Sequence, residues 1–123
     1  MVPDPEDAIA FNNGGKARHV QGDLEGAIAD YSEAIRLNPE DAIAFYNRGV
    51  ARGDQGDLEG AIADHSEAIR IDPDDADSFY NRGVTRRDQG DLEAAMRDLH
   101  RAVRLSPTRE DFWRSLDEVR RQT

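Results

Sequence analysis

The chain has 123 residues, enough for one domain or part of one. With 34% charged and only 7% aromatic residues it has no thick core of large side chains, and no apolar run approaches the about 20 residues of a membrane span. Cysteine is absent, which excludes disulfides and thiolate catalysis, and a net charge of -10 argues against a nucleic-acid partner.

The mean hydropathy of -0.81 is polar, yet the apolar residues fall at regular places, as in a helical protein with charged outer faces and a thin apolar stripe. Residues 1–7, Met1-Val2-Pro3-Asp4-Pro5-Glu6-Asp7, are acidic and broken by proline. They lack the basic and apolar regions of a secretory signal and read as an N-terminal extension. These features, with the missing cysteines, point to a cytoplasmic location.

An internal period then organises the chain. Pro39, Pro73 and Pro107 recur every 34 residues, as do Gly22, Gly56 and Gly90, each followed by Asp-Leu-Glu. Ala27, Ala61 and Ala95 keep the same step, and so do Phe11, Phe45, Phe79 and Trp113. A period of this length is the mark of a stacked repeat protein. The units are 8–41, 42–75 and 76–109, followed by a segment over 110–123.

Each unit predicts two helices. In the second, helix A runs from Ala42 to Gln55. Gly56 supplies the left-handed residue that ends it, and Asp57 caps helix B. Helix B runs from Leu58 to Ile71, with Leu58, Ala61, Ile62, His65, Ala68 and Ile69 at helical spacing. Pro73 stops it, and Asp74 or Asp75 caps the next helix A. Gly15, Gly49 and Gly83 sit inside helices A, where glycine costs about 0.5–1 kcal/mol relative to alanine. Their recurrence predicts a close crossing of helices A and B. In the final segment Phe112, Trp113, Leu116 and Val119 form an apolar stripe that would cover the last helix B.

At these residues the chain resembles the tetratricopeptide repeat (TPR) family: an aromatic, glycine four residues on, then Gly-Asp-Leu, alanine, alanine and proline. In the second unit these are Phe45, Gly49, Gly56, Asp57, Leu58, Ala61, Ala68 and Pro73. The resemblance implies an all-α TPR solenoid, a right-handed superhelix of three repeats closed by a capping helix over 110–123. Helix A would line a concave groove and helix B the convex back. The chain departs from the family pattern where Arg48 and Arg82 replace a leucine and Arg18, Arg52 and Arg86 an aromatic. Asp30, Asp64 and Asp98 in helix B either pair with those arginines or leave them to extend into solvent.

The groove carries the candidate functional residues. Asn13, Asn47 and Asn81 recur two residues after the aromatic. A carboxamide both donates and accepts, so such a ladder suits the backbone of an extended peptide; alternatively it braces the neighbouring repeat. Tyr46 and Tyr80 flank the ladder, and Lys16, His19, Asp77, Arg87 and Asp88 complete the lining. One TPR subgroup clamps the terminal carboxylate of a chaperone with Lys, Asn, Asn, Lys and Arg. Here Asn12 and Lys16 hold the first pair in reversed order and Asn47 matches, but Asp77 and Asn81 stand where the last two cations belong. That clamp is incomplete.

Enzymatic machinery is not expected. His19, His65 and His100 fall by repeat phase on the groove, the core and the back, so they form no relay and no metal site. Asp72-Pro73-Asp74-Asp75-Ala76-Asp77 resembles a calcium loop but has Gly83 where the bidentate glutamate belongs, so capping acids explain it. No catalytic residue, cofactor or metal is predicted. The expected function is binding of a protein or peptide segment at Asn13, Lys16, Tyr46, Asn47, Tyr80, Asn81 and Arg87, without nucleic acid or membrane. The alternatives are a self-associating TPR array and a regulatory fragment of a larger protein. The third helix B reverses the charge sign with Arg97, Arg101 and Arg104. An acidic front and a basic rear therefore predict weak head-to-tail association.

Overall fold

The computed structural model describes residues 4–123, which form seven α-helices. They are α1 (Pro5–Val20), α2 (Leu24–Leu37), α3 (Ala42–Asp54), α4 (Leu58–Ile71), α5 (Ala76–Asp88), α6 (Leu92–Leu105) and α7 (Glu110–Gln122). α1 begins at Pro5, three residues ahead of the Ala8 start expected from the repeat phase, so part of the extension is helical. The cause is local: the Asp4 carboxylate accepts from the Glu6 N–H at 2.9 Å, and Pro5 has a backbone suited to a first helical residue. Residues 1–3 of the extension lie outside the described residues.

The helix boundaries follow from turn chemistry. Gly56 has φ +85, a conformation that glycine alone adopts without strain, and Gly22 and Gly90 share it. The aspartate that follows each of them caps the next helix: Asp23, Asp57 and Asp91 accept from Gly26, Gly60 and Ala94 N–H. At the A-helix starts the caps are Asp41 and Asp75. Asp75 also accepts from the Ser78 hydroxyl at 2.7 Å, and Asp72 accepts from the Asp74 N–H. The acidic run over 72–77 is thus largely spent on turn and cap bonds.

Each helix packs against the next in sequence. In addition α1 touches α3, α3 touches α5 and α5 touches α7, while α2, α4 and α6 do not touch one another. The odd helices therefore line the inner, concave side and the even helices the outer, convex side.

The interior is built mainly from alanine, with Ala27, Ala34, Ala44, Ala51, Ala61, Ala68, Ala95 and Ala102 buried. One larger side chain per repeat fills the A–B crossing: Tyr31, then His65, then Leu99, all buried. The glycines make room for them. A Cβ on Gly15 would lie 2.5 Å from the Tyr31 ring, one on Gly49 2.8 Å from the His65 ring, and one on Gly83 3.0 Å from Leu99. Burial pushes the His65 imidazole down to about 4, partly opposed by the Asp64 charge. His65 is neutral at pH 7 and its Nδ1 is buried without a partner.

The recurrent arginines and aspartates do pair. Arg48 forms a two-pronged contact with Asp64 at 2.8 and 2.9 Å, and Arg52 adds a third bond at 3.0 Å. Arg82 and Arg86 hold Asp98 in the same way. Arg48 and Arg82 each also reach back to the preceding repeat, to the Ser32 and Ser66 hydroxyls. The first repeat has Gly14 at this position, so Asp30 keeps only Arg18, at 3.0 Å.

At the C-terminus Phe112, Leu116 and Val119 are buried against Leu99, Ala102 and Val103. Trp113 is not part of this contact, contrary to the sequence expectation. It is 42% exposed, and its indole donates to the Pro107 carbonyl. Among the described residues α7 packs against α5 and α6 alone, and they set its buried stripe at Phe112, Ser115, Leu116 and Val119. At the other end Ile9 and Phe11 of α1 are exposed.

Candidate functional site

The concave side has three junctions between odd helices, and one pair of positions decides the character of each. A residue of one A helix faces the residue 35 positions further on in the next: Asn12 with Asn47, Tyr46 with Asn81, Tyr80 with Ser115. At the second junction Asn81 Nδ2 donates to the Tyr46 hydroxyl at 2.9 Å and to the Asp77 carbonyl at 3.0 Å. Burial raises the pKa of the Tyr46 phenol, helped by the Asp77 charge and opposed by the bond from Asn81. At the third junction the Tyr80 and Ser115 hydroxyls lie 3.2 Å apart, and the Tyr80 ring stacks on Phe112 at 4.6 Å. α7 thus occupies the far end of the groove. There Arg87 pairs with Glu118 and Asp88.

The first junction differs because asparagine replaces the tyrosine. Asn12 Nδ2 donates to Asp41 at 2.7 Å, but its Oδ1 is buried without a partner, and so is Asn47 Nδ2. The short carboxamide leaves unmade the bond that a tyrosine makes one repeat later. Beside this unspent donor and acceptor lies an open depression lined by Lys16, His19, Val20, Tyr31 and Asn47. His19 reaches across the junction to Asp54, 2.7 Å from its Nε2. A second depression, between α3 and α5, is lined by Val50, Asp54, His65, Asn81, Val84 and Asp88 among others.

The residues singled out from the sequence therefore occupy unlike settings. Lys16 and Asn47 share one depression, and Asn13 is exposed on α1. Tyr46 and Asn81 bond to each other across repeats, Tyr80 is packed under α7, and Arg87 is ion-paired. One contributor, Asp54, lacked a motif of its own and enters through His19. Asn12, noted from the sequence only as a reversed clamp residue, matters here through its register with Asn47. Of the histidines, His19 faces the groove, His65 is buried and His100 lies on the convex side; the fold brings none of them together.

Family models agree with this architecture. A TPR repeat model matches residues 15–56 and 52–86, and a second tetratricopeptide repeat model matches 76–109. The chain belongs to the tetratricopeptide repeat family. This TPR protein is similar in structure to the first TPR of Spaghetti (RPAP3) bound to HSP90 peptide SRMEEVD, with a TM-score of 0.95 at 21% identity over 99% of this chain and 97% of that one. It is similar to the Arabidopsis OM64 TPR domain, with a TM-score of 0.94 at 24% identity over 97% and 98%. It is also similar to the second TPR domain of human RPAP3 in complex with HSP70 peptide SGPTIEEVD, with a TM-score of 0.91 at 26% identity over 95% and 98%. No curated protein matches the chain in sequence. No helix among the described residues is long and apolar enough to cross a membrane.

Proposed function

We propose that this TPR protein is a non-catalytic interaction module that binds an extended segment of another protein in its concave groove, anchored at the first junction. One observation carries the reading. The Asn12 Oδ1 and Asn47 Nδ2 atoms are buried and unpaired next to the depression at Lys16 and His19, whereas the corresponding groups of the later junctions are bonded. An unpaired buried acceptor and donor match the N–H and C=O of a peptide backbone, and leaving them unmade costs about 1–3 kcal/mol each. The similar TPR domains of RPAP3 hold peptides ending in EEVD, which supports a peptide ligand. The acids here disfavour a strongly acidic one: Asp54, Asp77 and Asp88 lie along the groove, and Asp77 and Asn81 replace two clamp cations. The reading is therefore of a neutral or mixed-charge segment.

The test is selection of peptides on the full chain from a random library, followed by calorimetric titration of the best binders. Asn47→Ala should weaken binding by about 1–3 kcal/mol through loss of a buried hydrogen bond, Lys16→Ala, at an exposed position, by under about 1 kcal/mol, and Asn81→Ala, whose amide is already engaged, less than Asn47→Ala. Equal affinity of the Asn47→Ala variant and the parent would refute the placement.

A further inference from the structure

The outer face of α6 departs from the outer faces of α2 and α4 in a way the packing does not require. Positions held by Ala29, Ser32 and Glu33 in the first repeat, and by Ala63, Ser66 and Glu67 in the second, become Arg97, His100 and Arg101 in the third. In the earlier repeats Arg36 and Arg70 pair with Glu33 and Glu67 one turn before. Arg104, at the same position, has no ion-pair partner among the described residues, because Arg101 stands where those glutamates stand. Arg101 is likewise without a carboxylate partner and lies over the Phe79 ring, 5.9 Å from its centroid. Arg97 has only the loose contact to exposed Glu93 at 3.9 Å. Asp98, the nearest other acid on the helix, is consumed on the inner side by Arg82 and Arg86. From Leu99 to Arg109 the sequence holds no acid at all. The four side chains line one open depression of about 370 Å³.

In a protein of net charge -10, three arginines held together with so little compensation repel one another, a cost that a bound anion would relieve. We propose that the outer face of α6 is a second binding surface, for a short acidic segment of a partner protein. The observations set both its chemistry and its size. Guanidinium groups engage carboxylates through paired N–H donors, which ammonium groups do not. The stripe from Arg97 to Arg104 is about 10 Å long at the helical rise, room for a few carboxylates. On the same convex side, the outer face of α4 in the preceding repeat carries Glu59 and Glu67. A long polyanion such as a nucleic-acid strand, or an anionic membrane, would extend onto that acidic surface and be repelled. A second copy of the chain brings its own charge of -10.

The surface is independent of the groove, so the test separates the two. Fluorescein-labelled hexaglutamate is titrated with the full chain at low and at physiological salt and read by polarisation. The triple variant Arg97→Ala, His100→Ser, Arg101→Glu gives α6 the residues that α2 and α4 carry at the same positions, which favours its folding. It should bind about tenfold more weakly, about 1.4 kcal/mol, and binding to the parent should weaken as salt rises. Arg104→Gln, a single exposed change, should lose about threefold affinity and serves if circular dichroism shows the triple variant unfolded. Lys16→Glu and Asn47→Ala, in the groove, should bind as the parent does. The proposal is overturned if the α6 variants bind hexaglutamate as tightly as the parent, if the groove variants abolish binding, or if no binding occurs at millimolar chain. It is equally overturned if a hexathymidylate strand or anionic phospholipid vesicles bind α6 more tightly than hexaglutamate.

Discussion

The three helix-B aspartates offer one substitution at one repeat position in three settings, and the structure ranks the outcomes. Asp64 is 3% exposed at its side chain and receives Arg48 and Arg52, themselves mostly buried. Asp64→Ala strands two guanidinium groups beside each other at the α3–α4 contact within the second repeat, and breaking a buried pair in this way costs about 3–5 kcal/mol. Arg48 keeps its bond to Ser32 and Arg52 has some access to water, so the lower end, about 3 kcal/mol, is expected. Asp98→Ala should cost the same, because Arg82, Arg86 and Ser66 repeat the geometry. Asp30→Ala should cost under about 1 kcal/mol, since its only arginine, Arg18, is 51% exposed and also contacts Asp23. A chain of this length has about 6–18 kcal/mol of stability in total, so the variants should remain folded. Urea unfolding followed by circular dichroism gives the differences directly, provided the slopes agree. Equal losses at the three positions, or the largest loss at Asp30, would show that the arginine–aspartate contacts do not carry the stability assigned to them.

Other consequences are equally direct. His65 binds fewer protons in the fold than in the unfolded chain between about pH 4 and its ordinary value of 6.5. Stability is therefore fully present above pH 6.5 and falls as pH drops toward 4, by up to about 3 kcal/mol. His65→Leu, which borrows Leu99 from the third repeat, should remove that part of the slope in pH-dependent urea titrations, and parallel curves for parent and variant would contradict it. Gly53→Ala should stabilise the protein by up to about 1 kcal/mol, because the new methyl meets only Ala61 Cβ at 3.8 Å. Gly49→Ala should destabilise it by about 1–3 kcal/mol through the clash with His65; thermal melts distinguish the signs. Removal of residues 110–123 uncovers Leu99, Ala102 and Val103, and if the remainder folds it should associate through that face. Sedimentation equilibrium reads this, and a strictly monomeric truncated chain at high concentration would refute it.

Most of the fold was legible because its determinants are local. Gly56 with Asp57 marks one turn, Pro73 with Asp75 the other, and Gly49 announces a close crossing of the two helices, although only the structure shows that the side chain it makes room for is the bulky His65. The groove was less so, because the state of each asparagine depends on a residue in another repeat. Asn47 and Asn81 look alike in sequence; only the partner 35 residues earlier, Asn12 in one case and Tyr46 in the other, separates an unspent amide from a bonded one. Tyr80 reads as a groove residue until α7 lays Phe112 on its ring. Trp113 keeps the repeat phase but not its role, since no eighth helix among the described residues holds the α7 stripe in register.

The missing arginine of the first repeat gives the solenoid a direction. Gly14 stands where Arg48 and Arg82 tie successive repeats together, and Asp30 has only a half-exposed arginine to hold it. The first two helices are also bounded by solvent at Ile9 and Phe11, while the last are sealed by Phe112, Leu116 and Val119. Local opening should thus begin at the N-terminal end and travel toward a stiffer C-terminal half. Because the second repeat follows the first in synthesis, the first repeat waits for Arg48 before its Ser32 is tied to the repeat behind it. A segment bound at Lys16 and Asn47 as proposed would span the seam between these regimes, so its affinity would be set partly by how much of the first repeat it has to order.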